Sequence, residues 1–139
     1  MRQRLAALLL VAAGLVFGQA VKVEFQQPKE AELVDRSAGL EVKVRLSMAI
    51  KDVRVYWCNG DEDDLKWAQQ NLPAKKPYIK PEDCHTMTGG PRDFTGGTDI
   101  SAWDWRGTGP YPIFVYAVKD DNTLVAISEL RNFKIKPKE

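Results

Sequence analysis

The residues best equipped for chemistry sit in the middle of the chain. Cys58, Cys84 and His85 offer the thiolates and imidazole that zinc takes, but no C-x-x-C pair and no second histidine accompanies them. Asn59, Asp61, Asp63 and Asp64 offer hard oxygen donors of the kind calcium takes. They lack the glycine and terminal glutamate of an EF-hand loop, and they stand where a helix start needs acidic residues. Asp61, Asp63 and Asp64 are therefore carried forward only as secondary calcium candidates, and no cofactor is expected.

Catalysis is short of parts. His85 is the only histidine, so any Ser-His or Cys-His mechanism must pass through it, and no G-x-S-x-G signature occurs. Asp99 and Asp104 form the sort of acidic pair that any strand end supplies. Gly89, Gly90, Gly96 and Gly97 resemble a phosphate loop in composition alone, because no G-K-[ST] follows them. The chain reads as a protein that is not an enzyme.

Aromatic residues carry the stronger signal, because rings left on a surface bind sugars or proteins by stacking and desolvation. Trp67, Tyr78, Phe94, Trp103, Trp105 and Tyr111 are the candidates for partner binding. Trp103 and Trp105 share one face if their segment is extended, either as core or as a platform. Trp67 falls opposite the stripe Leu65, Ala68, Leu72 and is expected to point outward.

These residues need a scaffold, and the periodicity describes one. Val21, Val23 and Phe25 alternate with charged residues up to Pro28; Leu40, Val42, Val44 and Leu46 alternate with Glu41, Lys43, Arg45 and Ser47. Both patterns predict half-buried strands. Val53, Val55 and Trp57 form a third apolar row, which places Cys58 on the opposite face from Trp57. After Cys58 the period changes: Asp61, Glu62, Asp63 and Asp64 precede LKWAQQNL, predicting a short amphipathic helix that ends before Pro73. Residues 75–97 carry Pro77, Pro81, Pro91 and two Gly-Gly pairs and are expected to form a long irregular connection. Strands resume over residues 100–105, 113–118 and 123–127, with Phe133 and Ile135 closing the domain. The run IFVYAV is apolar on both faces and needs cover on each, with Phe114, Tyr116 and Val118 expected to receive the helix stripe.

Composition and charge bound the rest. The chain has 139 residues, with 20 Lys plus Arg against 19 Asp plus Glu. Residues 1–20, MRQRLAALLLVAAGLVFGQA, read as a secretory signal: two arginines, an apolar run from Leu5 to Phe17, then Gly18 and Ala20 as small residues at a cleavage site. A spanning helix needs roughly 20 apolar residues, so no integral membrane segment is expected once the signal is removed. Removing Arg2 and Arg4 leaves 18 basic against 19 acidic side chains and no basic block, which argues against nucleic acid. Export makes Cys58 and Cys84 a disulfide, closing a loop of 25 intervening residues at a gain of roughly 3 to 4 kcal/mol.

The segments VKVEFQQP, GLEVKVRLS, IKDVRVYW and YPIFVYAVKDDN, in that order, resemble a bacterial immunoglobulin-like domain of secreted and surface proteins. The resemblance covers most of residues 21–58 and 99–136 and implies an all-β antiparallel sandwich of about seven strands over residues 21–139. It places Trp57 where such domains bury an aromatic on the third strand. The helix and disulfide-pinned loop of residues 61–97 stand as an insertion after that strand, the cysteines do not match the antibody bridge, and the last hairpin lacks a glycine beside Asn122. The expected function is a secreted, periplasmic or cell-surface binding module for a protein or envelope component. The alternatives are a subunit of a surface assembly or pilus-like filament joined by β-strand addition, with self-association through an edge strand, and a carbohydrate-binding module using exposed tryptophans.

Overall fold

The computed structural model describes residues 20–74 and 83–137. The expected secretory signal therefore lies outside the described residues except for Ala20, and so does Tyr78. The chain folds into two β-sheets packed face to face with one helix outside the second. In chain order the elements are β1 (Val23–Gln27), β2 (Glu32–Val34), β3 (Leu40–Leu46), β4 (Val53–Asn59), α1 (Glu62–Asn71), a 3-10 turn (Leu72–Ala74), β5 (Cys84–Thr86), β6 (Thr88–Gly89), β7 (Asp93–Thr98), β8 (Tyr111–Lys119), β9 (Leu124–Ile127) and β10 (Arg131–Ile135). The first sheet runs β1-β3-β7-β6. The second runs β2-β10-β8-β4-β5, with β9 also pairing β8. This is an immunoglobulin-like sandwich, antiparallel at every strand pairing among the described residues except β2 with β10.

The strand patterns explain the layers. In β3 the alternation sends Leu40, Val42, Val44 and Leu46 inward, where they meet Val55, Trp57, Tyr111, Ile113, Val115, Phe133 and Ile135 of the second sheet. Trp57 is fully buried, and its ring lies against Gly96 of β7, where an added Cβ would come within 3.1 Å of the indole. That close approach is why a glycine interrupts β7. Strand β8 is buried on both faces, as IFVYAV requires: Phe114, Tyr116 and Val118 point away from the sandwich and pack with Leu65, Ala68, Leu72 and Cys58. The helix is the expected cover. Asp61 caps it, accepting the Asp64 backbone N–H at 3.1 Å while the Asp64 carboxylate accepts the Asp61 N–H at 3.0 Å.

Cys58 and Cys84 are bonded to each other as register partners on β4 and β5. The bridge sits on the helix-facing side of the second sheet, opposite Trp57, and ties β5 to the sheet within the insertion.

Four strands add to the expected set: β2, β5, β6 and β7. Residues 28–31 cross from the first sheet to the second, turning at Ala31 with φ 62°, so that β2 pairs parallel with β10. The insertion therefore follows the fourth strand of the chain. The segment expected as irregular connection contains β5, β6 and β7, with β7 paired along its length to β3. The expected strand over residues 100–105 is instead a chain of turns. The hairpin at Asn122 does without a glycine because Asn122 itself takes φ 68° and its side chain accepts from Arg54 at 2.7 Å.

Candidate functional site

The turns between β7 and β8 are built from local acceptors. The Asp99 carboxylate accepts the Ser101 N–H at 2.9 Å, and that bond holds its pKa below the ordinary value. Trp103 N–H donates to Ile100 O at 3.0 Å, and Gly107 N–H donates to Asp104 O at 2.8 Å. At Gly107 φ is +60°, a conformation that costs glycine nothing. Its carbonyl accepts the Tyr111 hydroxyl at 2.7 Å, which is how a fully buried phenol at the start of β8 satisfies its polar end. From the far side of the loop, Arg36 donates through Nη1 to Trp103 O at 2.6 Å and to Ile100 O and Ser101 O at 3.3 Å.

These bonds set a ladder of rings. Phe133 and Tyr111 stack at 5.6 Å between centroids; Trp103 lies 5.6 Å from Tyr111 and 4.6 Å from Trp105; Trp105 meets Tyr111 edge-on at 5.3 Å. The gradient of burial runs outward. Phe133 and Tyr111 have no exposed surface, Trp103 is half-buried, and Trp105 is 55% exposed.

Trp105 stands on the rim of an open crevice of about 410 Å³ lined by Asn59, Asp61, Asp64, Asp83, Arg106 and Trp105. The crevice lies where the start of α1 meets the turns before β8. Asp61 is held below its ordinary pKa, first by the Asp64 N–H it accepts, with the Arg106 guanidinium adding to the effect. Among the described residues the crevice thus combines the exposed Trp105 indole, the Arg106 guanidinium and several carboxylates.

Of the six aromatic candidates, the structure brings together Trp103, Trp105 and Tyr111. Phe94 and Trp67 lie apart from them, and Tyr78 is outside the described residues. Phe94 is 6% exposed and belongs to the core, because β7 is a full strand whose alternation turns it inward opposite Val44. Tyr111 is core apart from its hydroxyl. Trp67 does not point outward: it is half-buried against the Leu65, Ala68, Leu72 cluster, since an indole is large enough to lie back over the edge of a helix stripe. Asp61 and Asp64 are engaged in capping, Asp63 is an exposed first-turn residue, and among the described residues no three His, Cys, Asp or Glu side chains converge on a metal position. His85 stacks on Trp57 at 4.5 Å, a structural contact.

Arg36, Phe133 and Arg106 were invisible as site residues. Arg36 is 64 to 67 positions from the carbonyls it holds, and no local pattern marks such a bond.

No protein-family model matches the chain, and no curated protein matches it. Among solved structures it is similar to the Clostridium thermocellum CbhA fibronectin(III)-like modules, at 18% identity and a TM-score of 0.45, over 84% of this chain and 98% of that one.

Proposed function

We propose that this chain is a non-catalytic binding module, exported to the periplasm or beyond, that holds a protein or cell-envelope partner at the Trp105 crevice. The observation that carries this reading is the exposure of Trp105 on a ring ladder rooted in the core. An indole so supported has little motion left to lose on binding, which favours it as an anchor. The Cys58–Cys84 bridge agrees with an oxidising compartment. No helix among the described residues is long and apolar enough to cross a membrane.

The test is capture from envelope extracts with the exported protein, comparing wild type with Trp105→Ala and Arg106→Glu. The expected result is a specific partner lost with both variants while their thermal midpoints stay near wild type. Capture of the same partner by both variants would overturn the assignment of the site. Binding on a glycan array that disappears with Trp105→Ala would replace the protein partner with a carbohydrate.

A further inference from the structure

Strand β1 borders the first sheet, and its backbone is used on one side. Ser47 N–H donates to Lys22 O at 2.9 Å, and Glu24 pairs with Arg45. Leu46, which stands opposite Val23, sends its N–H the other way, to Arg92 O at 2.8 Å. Antiparallel alternation then turns the N–H and C=O of Val23 and Phe25, and of Val21 two residues before, out from the sheet border. Along that border runs a groove of about 850 Å³, walled by Val21 to Phe25 on one side and by Ile127 to Arg131 on the other. An open strand edge beside free space is a template for another strand.

The side chains on that edge specify which strand. Val21, Val23 and Phe25 are half-buried apolar residues on one face, and Lys22 and Glu24 are exposed on the other. We propose that the occupant is a second copy of this chain, joined through an antiparallel β1–β1 pair centred on Val23. In that register Val23 faces its own mate, Val21 faces the partner's Phe25, and Lys22 faces the partner's Glu24 on both sides of the two-fold axis. Centring the pair on residue 22 would set lysine against lysine, and centring it on residue 24 would set glutamate against glutamate. Only the Val23 centre matches opposite charges and keeps the apolar row together. The same centre lets the outward groups of Val21, Val23 and Phe25 exchange bonds with those of the partner. Because the axis runs normal to the sheet, the second sheets of both copies remain on one side. This pairing is independent of the Trp105 crevice.

Sedimentation velocity over a range of concentrations, with the exported protein, tests it. Wild type is expected to dimerise reversibly. Val23→Pro removes an N–H that points away from β3, so it is expected to give a folded monomer by circular dichroism. Lys22→Glu sets like charges opposite at two symmetric positions and is expected to weaken association by about tenfold or more. The double change Lys22→Glu with Glu24→Lys is expected to restore it, which a folding defect would not do. Trp105→Ala is expected to leave the dimer intact, so loss of this interface and loss of the binding site are told apart. A wild-type monomer at every concentration overturns the proposal, as does a dimer that survives Val23→Pro or a double change that fails to rescue.

Discussion

Replacing Arg36 with methionine would test how the ring ladder is held. The guanidinium makes one short bond, 2.6 Å to the half-buried Trp103 carbonyl, and two at 3.3 Å to Ile100 and Ser101. A hydrogen bond from a charged donor contributes about 1.5 to 3 kcal/mol, and the short one belongs near the top of that range. The two longer bonds add little. Against this, Arg36 Nε is buried without a hydrogen-bond partner among the described residues, and methionine would release that desolvation cost, on the order of 1 kcal/mol. The net expectation is a loss of about 2 kcal/mol, or a fall in thermal midpoint of roughly 8 °C for a domain of this size. Equilibrium urea unfolding followed by far-UV circular dichroism measures the stability. Acrylamide quenching of tryptophan fluorescence, expected to rise in the variant, reports whether Trp103 and Trp105 have loosened. Arg36→Lys keeps the charge without the planar fork and should recover no more than about half of the loss. Stability within about 0.5 kcal/mol of wild type, together with unchanged quenching, would refute the claim that Arg36 positions the loop.

Removing the helix cap by Asp61→Ala is expected to cost about 1 kcal/mol at neutral pH. Because the folded-state pKa of Asp61 lies below its ordinary 3.8, that contribution is present above pH 3.8 and is lost as pH falls through the lower folded value; urea midpoints in a pH series should show the gap between wild type and variant closing in acid. Opening the disulfide, by reduction or by Cys58→Ala with Cys84→Ala, should lower stability by about 3 kcal/mol while the far-UV strand signal persists, since the Trp57 core lies on the other face of the sheet. Burial pushes the Tyr116 phenol up to about 12, with Tyr56 adding and Arg54 opposing, so its contribution to stability is complete below pH 10 and lost as pH rises toward 12. A tyrosinate absorbance titration should show a late step that Tyr116→Phe removes.

Local periodicity was enough to determine much of the scaffold. The alternation of Leu40, Val42, Val44 and Leu46 states which face of β3 is wet. The parity of Trp57 and Cys58 places the bridge outside the sandwich. The match between a helical stripe at Leu65, Ala68 and Leu72 and a doubly apolar β8 names the surfaces that must meet at Phe114, Tyr116 and Val118. Each of these follows from one element's own repeat, which is a property of the chain.

What tertiary structure alone decided depends on distant neighbours. DFTGGT does not look like a strand, because Gly96 gives up its side chain to make room for the Trp57 ring and so erases the alternation that would reveal β7. ELV forms β2 only because β10 is there to pair with it, and β10 comes almost a hundred residues later. The segment from Ile100 to Trp105 alternates like a strand, yet Arg36 and the turn at Gly107 fold it into a loop. The fate of the aromatics was settled the same way. Helical spacing sets Trp67 apart as the outward ring and packing reverses it, while nothing in the spacing of Phe94, Tyr111 and Trp105 separates those three. Only the packing of two sheets and a helix buries Phe94 and Tyr111, half-covers Trp67, and leaves Trp105 exposed beside Arg106, because exposure belongs to an assembled surface and not to any segment of the chain.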